Sequence, residues 1–335
     1  MAHSVTGTAL DVPDLPTGAL TSIDVYITSQ CNRRCSYCFL PAEFFTSGKR
    51  MSVENFFDIV RWSKRQGVKE VTLLGGEPSL HPSFAAMIRI ARSQEMDVRV
   101  VTNGTRSFRR QLGDGTVSAA DLARVAVSLD SLDPAVQDEF RGPGAWQDAM
   151  DTIELLREHS VVFDINVTAV RPVLGGLDEL IDFADEKGCR RVNVHWPSTI
   201  GIGTSLDPSA VPDRDEWRKL AHGIAQRVER RPDFYVEIER GYLADDEQLA
   251  GCALDDYSNL QILPDGRAYR CGLLVDQEEM ASLAMTGGQL KLTSAAHGEE
   301  RLRTDFLSSC DSCPVMQAED RRACIYDKVS SLRPS

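Results

Sequence analysis

The sequence predicts an α/β fold, a partial parallel barrel of six βα units followed by a small hairpin-containing module. Between residues 22 and 200, six short runs rich in β-branched residues alternate with amphipathic helical segments. Strands that alternate with helices form parallel sheets with right-handed crossovers, and six such units suit an incomplete barrel. After residue 200 the alternation stops, and five of the nine cysteines lie beyond residue 250.

The six predicted strands come at regular intervals along this first part of the chain. They are Ser22–Thr28, Val71–Leu74, Val98–Thr102, Val125–Leu129, Val162–Thr168 and Val192–Trp196. Between them, apolar residues at helical spacing predict buried helix faces, as in Val53, Phe56, Phe57 and Val60 and again in Trp146, Met150, Ile153 and Leu156. In a parallel barrel the chemistry lies on the loops that leave the carboxyl ends of the strands.

The chain divides into four predicted segments. They are an N-terminal extension over 1–21, the partial barrel over 22–200, a linker and helix over 201–234, and a C-terminal module over 235–335. The helix is predicted from Asp215 to Arg230. In the module, the runs Ser258–Leu263 and Arg267–Cys271 flank a Pro-Asp-Gly turn, which predicts a hairpin.

Composition and charge exclude several classes of protein. The formal net charge is −13 and the isoelectric point is near 5.0, whereas nucleic-acid binding needs an excess of Lys and Arg. No run of ~18 apolar residues predicts a membrane span, and the first twenty residues lack a basic start and an apolar core, so we expect a cytoplasmic protein. Cysteines in that compartment are mostly reduced, which favours metal-binding or catalytic roles.

Three cysteines directly follow the first predicted strand. Cys31, Cys35 and Cys38 lie within eight residues, so one short loop can turn three sulfurs toward one soft metal centre. Zinc would need a fourth ligand from elsewhere. An iron–sulfur cubane with one iron left open needs no further protein ligand.

This CxxxCxxC loop resembles the signature of radical S-adenosylmethionine (SAM) enzymes, and Tyr37 matches the aromatic residue usual before the last cysteine. The resemblance implies that the three cysteines hold a [4Fe-4S] cluster whose fourth iron is chelated by the amino and carboxylate groups of SAM. It also implies reductive cleavage of SAM to a 5′-deoxyadenosyl radical, which abstracts hydrogen from a substrate carbon.

The same resemblance implies a set of SAM contacts at later strand ends. Gly75, Gly76, Glu77 and Pro78 resemble the GGEP segment of the family, in which the acid accepts from the SAM amino group; further implied contacts are Asn103 and Ser128, with Asp130 at the ribose, Arg141 at the carboxylate and Thr168 near the adenosine. For two of these residues the sequence leaves an alternative. Asp130 can cap the next helix, and Arg141 can be a solvated loop charge.

The late cysteines resemble the twitch and SPASM extensions of radical SAM enzymes. A cysteine, a hairpin, a second cysteine and a CxxC pair follow one another as Cys252, Cys271, Cys310 and Cys313, and the resemblance implies that these four hold one auxiliary [4Fe-4S] cluster. Cys324 can replace one of them or serve as a hydrogen-donating thiol. A zinc ribbon is the alternative for this module. Cys189, before the sixth strand, is predicted to be a packing thiol, and His195 and Trp196 are candidates to line the substrate cavity.

These features predict an enzyme that modifies a peptide or a small natural-product precursor. Four ligands for the auxiliary cluster favour an oxidation such as cross-linking or dehydrogenation, and a free Cys324 would instead favour redox-neutral epimerisation of a peptide or an aminocyclitol. An external electron donor such as flavodoxin or ferredoxin is expected, with a separate peptide-recognition protein as a further partner. The alternative from another class is a non-catalytic iron–sulfur electron-transfer protein.

Overall fold

The strands of the computed structural model form one sheet. The structure describes residues 20–228, 234–238, 259–269, 283–286 and 289–292. In chain order the strands are β1 (Ser22–Thr28), β2 (Glu70–Gly75), β3 (Asp97–Thr102), β4 (Arg124–Ser128), β5 (Phe163–Thr168), β6 (Arg191–His195), β7 (Tyr235–Ile238), β8 (Asn259–Ile262), β9 (Arg267–Tyr269), β10 (Leu283–Thr286) and β11 (Gln289–Leu292).

The helices alternate with the first six strands, as the sequence predicts. They are α1 (Ala42–Thr46), α2 (Val53–Arg65), α3 (Phe84–Ser93), α4 (Arg106–Gly113), α5 (Pro134–Arg141), α6 (Ala145–Glu158), α7 (Arg171–Leu174), α8 (Leu177–Glu186) and α9 (Arg214–Val228). Short 3₁₀ turns cover 78–80, 119–121, 201–205 and 208–210. No helix in the described ranges is long and apolar enough to cross a membrane.

The sheet order is β11-β10-β9-β8-β1-β2-β3-β4-β5-β6-β7. Strands β1 to β7 run parallel to their neighbours, which confirms the predicted α/β fold with a mostly parallel sheet. The sequence did not assign β7 to the barrel, and β8 pairs in parallel with β1. Both strands satisfy backbone groups that an edge strand would leave open. The predicted module boundary at residue 235 therefore falls inside this sheet.

The core lies between the sheet and the helices. Strand residues that face the helices, such as Val125, Val127 and Ile165, are fully buried, as expected for a parallel sheet covered by helices. Helix α2 begins at the cap Ser52, whose hydroxyl accepts from the Asn55 amide.

The predicted buried face of α2 is wrong at one position. Phe56, Ile59 and Val60 are buried, but Phe57 is 38% exposed. At 100° per residue Phe57 lies beside the buried stripe rather than within it, and the guanidinium of Arg61 lies 5.5 Å from the centre of its ring.

Candidate metal centre and cosubstrate site

The three clustered cysteines lie on the loop that leaves the carboxyl end of β1. All three are partly buried. The loop is folded locally, because the Cys38 amide donates to the Cys35 carbonyl at 3.1 Å and the Arg33 amide donates to Cys31 Sγ at 3.4 Å. The side chain of Arg33 also connects the cysteine loop to α6, where it pairs with Asp148.

Burial controls the acid–base state of these thiols. It raises the pKa of Cys31 to about 11 and that of Cys38 to about 12, and it also raises the pKa of Cys35. In the metal-free chain the thiols are therefore protonated at neutral pH, and metal binding must release protons. Among the described residues, no three His, Cys, Asp or Glu side chains form a ready-made metal cage.

The two glycines at the end of β2, Gly75 and Gly76, bring that strand end against the cysteine loop. The Gly76 amide donates to the Thr28 carbonyl at 2.9 Å, and the Glu77 amide donates to the Gln30 carbonyl at 2.7 Å. A Cβ on Gly76 would lie 2.3 Å from the Gln30 oxygen and 2.8 Å from Cys31 Cβ. Glycine is therefore required here for the approach of two backbone segments, one of which carries Cys31.

Glu77 is fully buried and faces the next strand. Its Oε1 accepts from the Ser79 hydroxyl at 2.7 Å and the Thr102 hydroxyl at 3.0 Å, and its Oε2 accepts from the Asn103 amide at 2.9 Å. Burial raises the pKa of this carboxyl, and the three hydrogen-bonding residues oppose that rise. Pro78 begins the short turn that Glu77 caps. The carboxylate thus joins the ends of β2 and β3, a role that the sequence did not indicate.

Asn103 offers a free acceptor next to the cysteines. Its Nδ2 donates to Asn32 Oδ1 at 2.9 Å and lies 3.8 Å from Cys31 Sγ. Its Oδ1 is buried and has no hydrogen-bond partner among the described residues. A buried carbonyl oxygen without a donor is costly, so this atom fits a ligand that brings an N–H or O–H group.

Asp130, which follows β4, and Arg141, which ends α5, contact each other. Arg141 donates from Nε and Nη2 to the two carboxylate oxygens at 2.7 and 2.8 Å, and the hydroxyl of Tyr37 donates to the same carboxylate. The sequence alternatives of a helix-capping Asp130 and a solvated Arg141 are wrong, because Asp133 caps α5 and Arg141 is buried. Ser128 and Thr168 end their strands close by and are half-buried.

The segment 201–205, which the sequence predicts to be part of a linker, contacts the cysteine loop on its other side. The Gly203 amide donates to the Cys38 carbonyl at 2.9 Å, and the Ile202 amide donates to the Leu40 carbonyl at 3.1 Å. Gly201 has φ +57°, and a Cβ there would lie 2.2 Å from the Phe39 oxygen. Nothing in the local sequence links these glycines to a loop more than 160 residues earlier.

The remaining residues that the sequence predicts to be functional or structural lie in different surroundings. Cys189 is buried and its thiol donates to the Arg191 carbonyl at 3.1 Å, as expected of a packing residue. His195 ends β6 and is half-buried, and the ring of Trp196 lies edge-on to Trp217 at 4.9 Å. The predicted auxiliary ligands and the hydrogen-donor candidate lie outside the described residues; they are Cys252, Cys271, Cys310, Cys313 and Cys324.

The site lies in a range of the chain that matches a protein family. Residues 25–186 match the model of the Radical SAM superfamily. The matched range runs from within β1 to the end of α8, so it contains the cysteine loop and the ends of β1 to β5. The donor set fits the cofactors that this family implies. Three soft thiols lie on one loop, and an orphaned acceptor on Asn103 stands beside them.

Curated relatives belong to more than one activity class. The chain is 26% identical over 265 residues to a probable GTP 3′,8-cyclase of Thermococcus kodakarensis, covering 75% of the chain and 84% of the relative. It is 27% identical over 279 residues to mycofactocin maturase MftC of Mycobacterium ulcerans, covering 78% and 71%. It is 22% identical to the subtilosin biosynthesis protein AlbA of Bacillus subtilis, covering 77% of the chain and only 56% of AlbA.

Solved structures share the fold at lower identity. Streptococcus suis SuiB bound to its precursor peptide SuiA superposes with a TM-score of 0.62 at 19% identity, covering 91% of this chain and 71% of SuiB. Native anSMEcpe with bound AdoMet and a peptide gives a TM-score of 0.58 at 17% identity, covering 91% and 87%. These similarities establish the α/β radical SAM fold.

Proposed function

We propose that this protein uses SAM and a [4Fe-4S] cluster to abstract hydrogen from a peptide or a small natural-product precursor, with an oxidised product as the outcome. The observation that carries the proposal is one meeting point at the carboxyl edge of the sheet. There the cysteine loop, the Gly75–Gly76 turn and the unsatisfied acceptor of Asn103 come together.

Each group at this point has a defined task. Cys31, Cys35 and Cys38 would hold three irons after losing their protons. Gly75 and Gly76 keep the backbone of β2 close to that of the cysteine loop, so no side chain enters the space. Asn103 Oδ1 would accept a hydrogen bond from SAM. The cluster, when bound, supplies the single electron that cleaves SAM.

The ends of the first six strands carry mainly uncharged polar groups. The residues that end β1 to β6 are Thr28, Gly75, Thr102, Ser128, Thr168 and His195, and none is Lys, Arg, Asp or Glu. One layer below, the Asn193 amide donates to Asn166 Oδ1 at 2.7 Å. Hydroxyl and amide groups form hydrogen bonds with peptide amides and alcohols. These groups therefore support a peptide or polyol substrate.

The net reaction depends on the late cysteines. An auxiliary cluster with four cysteine ligands would have no open iron and would accept the electron that a substrate radical releases as it loses a proton. We therefore propose oxidation, with Cys252, Cys271, Cys310 and Cys313 as ligands. If Cys324 instead returns a hydrogen atom, the reaction is an epimerisation. In deuterated water an epimerised product carries one solvent deuterium, and an oxidised product is two mass units lighter.

Anaerobic reconstitution tests the catalytic assignment. We expect about eight irons per chain in two cubanes and formation of 5′-deoxyadenosine with a chemical reductant or with flavodoxin or ferredoxin as donor. The triple variant Cys31→Ala, Cys35→Ala, Cys38→Ala should keep about four irons and form no 5′-deoxyadenosine. Cys189→Ala is the matched control, since that thiol is buried elsewhere, and should behave as wild type.

Three results would contradict the proposal. Zinc without iron would indicate a zinc protein. Two clusters with no response to SAM would indicate an electron carrier. Consumption of GTP, with no reaction on candidate peptides supplied with or without a separate recognition protein, would assign the activity named for the cyclase relatives.

A further inference from the structure

The carboxylate of Asp130 is fully occupied by protein donors. Its Oδ1 accepts from Arg141 Nη2 at 2.8 Å and from the Thr168 amide at 2.7 Å, and its Oδ2 accepts from Arg141 Nε at 2.7 Å and from the Tyr37 hydroxyl. The relative exposure of Asp130 is 1% and that of Arg141 is 8%. A buried, bidentate pair with both oxygens doubly hydrogen-bonded has little capacity left for a ribose hydroxyl or a SAM carboxylate.

This pair is attached to the cysteine loop at its centre. Tyr37 lies between Cys35 and Cys38 in the chain, and its ring stacks on Phe140 with centroids 6.4 Å apart and planes at 21°. The guanidinium carbon of Arg141 lies 5.4 Å from the centre of the Tyr37 ring. One residue earlier, the Ser36 amide donates to the Phe140 carbonyl at 2.9 Å. The stretch between two metal ligands is therefore held by α5 through its backbone, an aromatic ring and a charged pair.

The position of Asp130 is itself fixed by Gln137. The side-chain oxygen of Gln137 accepts from the Asp130 amide at 2.8 Å and from the Ser131 amide at 3.2 Å. Gln137 is fully buried and lies on α5, one turn before Arg141. Side chains locked by such contacts can hold another group in place with little freedom of movement.

We propose that Asp130, Arg141 and Tyr37 are positioning residues for the iron–sulfur cluster rather than ligands of SAM. The inference rests on the proposed function, because it assumes that Cys31, Cys35 and Cys38 bind that cluster. It revises the expectation that Asp130 contacts the ribose and Arg141 the carboxylate of SAM. Tyr37 belongs to the cysteine loop and contacts both members of the buried pair, so the pair holds the loop in place through this residue.

The two charges of the pair should shift the reduction potential of the proposed cluster in opposite directions. Both charged groups contact Tyr37, which lies between the proposed ligands Cys35 and Cys38 in the chain, so both charges lie next to the cysteine loop. A cation near the cluster stabilises its reduced form, and an anion destabilises it. Loss of Arg141 alone should therefore lower the reduction potential, and loss of the Asp130 charge alone should raise it.

The test uses the full-length chain reconstituted without SAM. The variants are Asp130→Asn, Arg141→Gln and Tyr37→Phe, and the matched control is Asp133→Asn, because Asp133 is an exposed cap of the same helix and Asn caps equally well. The measurements are iron per chain, the rate of iron removal by a chelator, and the midpoint potential of the cluster whose electron paramagnetic resonance signal responds to SAM.

The expected results separate this role from SAM binding. Iron removal should be several-fold faster in the three variants than in the control, since a hydrogen bond to a charged group is lost in each. The potential should fall in Arg141→Gln and rise in Asp130→Asn. SAM affinity, measured on cluster-loaded molecules, should stay at the wild-type value in Tyr37→Phe, which keeps the stacked ring.

The opposite pattern would overturn the inference. Wild-type iron retention and potential in all three variants, together with weakened SAM binding, would make these residues SAM ligands. Failure of the proposed function is distinguishable, because the wild-type chain itself would then show no cluster that responds to SAM. If Asp130→Asn and Arg141→Gln fail to fold, Tyr37→Phe decides, and unchanged iron removal in that variant refutes the proposal.

Discussion

Replacing Gly76 with alanine should break the contact between β2 and the cysteine loop. The added Cβ would lie 2.3 Å from the Gln30 oxygen, whereas ordinary contact begins near 3.4 Å, so the two backbones must separate by about 1 Å. Gly76 has no positive φ, so the cost is steric. Overpacking of this kind destabilises proteins by about 1–3 kcal/mol, and ~2 kcal/mol corresponds to about a thirtyfold loss in the folding equilibrium constant.

Urea unfolding of the cluster-free chain measures this steric cost without a contribution from iron. Iron content after reconstitution then measures the second effect, because a displacement of Cys31 moves one ligand of the proposed cluster. The matched control is Gly113→Ala at the end of α4, where no atom of the described residues lies within 4 Å of the added Cβ. That variant should be neutral or stabilised by up to ~1 kcal/mol. Equal unfolding midpoints and equal iron content in the two variants would refute the steric reasoning.

Further predictions follow from other buried groups. Asp164→Asn leaves three arginines, on β3, β4 and β6, without their shared counter-charge at 3.3–3.7 Å, and should destabilise the protein by about 3–5 kcal/mol. Asp97→Asn, at an exposed ion pair, should cost less than ~1 kcal/mol. Equal costs for the two variants would contradict this account. Burial lowers the pKa of His81, so the unfolded chain binds more protons and the free energy of unfolding should fall as pH drops below about 6.5. In urea titrations His81→Gln should reduce the slope of this free energy against pH. An unchanged slope would exclude His81 as its source. Glu77→Gln should lower the unfolding midpoint. It should also weaken SAM binding through Asn103, because the backbone amide of Asn103 loses a charged acceptor. A SAM affinity equal to wild type, measured by calorimetry, would show that Glu77 does not act on SAM through Asn103.

Local sequence patterns were sufficient for most of the barrel. Runs of Val and Ile predict β1 to β6 because such residues favour strands covered on both faces. The unusual residues follow those strands, and parallel strands bring their carboxyl ends to one edge. The position of the cysteine loop beside Gly76 and Asn103 could therefore be predicted without the structure.

Pairings between side chains could not be predicted in the same way. The sequence does not indicate that Asp130 and Arg141 bind each other. It also does not indicate that the carboxylate of Glu77 joins β2 to β3. A sequence shows that a polar residue is near a strand end, yet its partner depends on which donors the fold brings within 3 Å.

The sequence alone determined the type of fold and the chemistry available to this protein, because strand and helix periodicity, three thiols on one loop and a glycine turn are local properties. Only the tertiary structure decided which polar groups are already satisfied and which remain open. Asn103 Oδ1 has no donor in the part of the chain that the structure describes, whereas the carboxylate of Asp130 accepts four hydrogen bonds. Gly203 reaches Cys38 from 165 residues away, through the backbone bond that covers the loop. These outcomes depend on burial and on distances between segments remote in the chain, for which local sequence carries no signal.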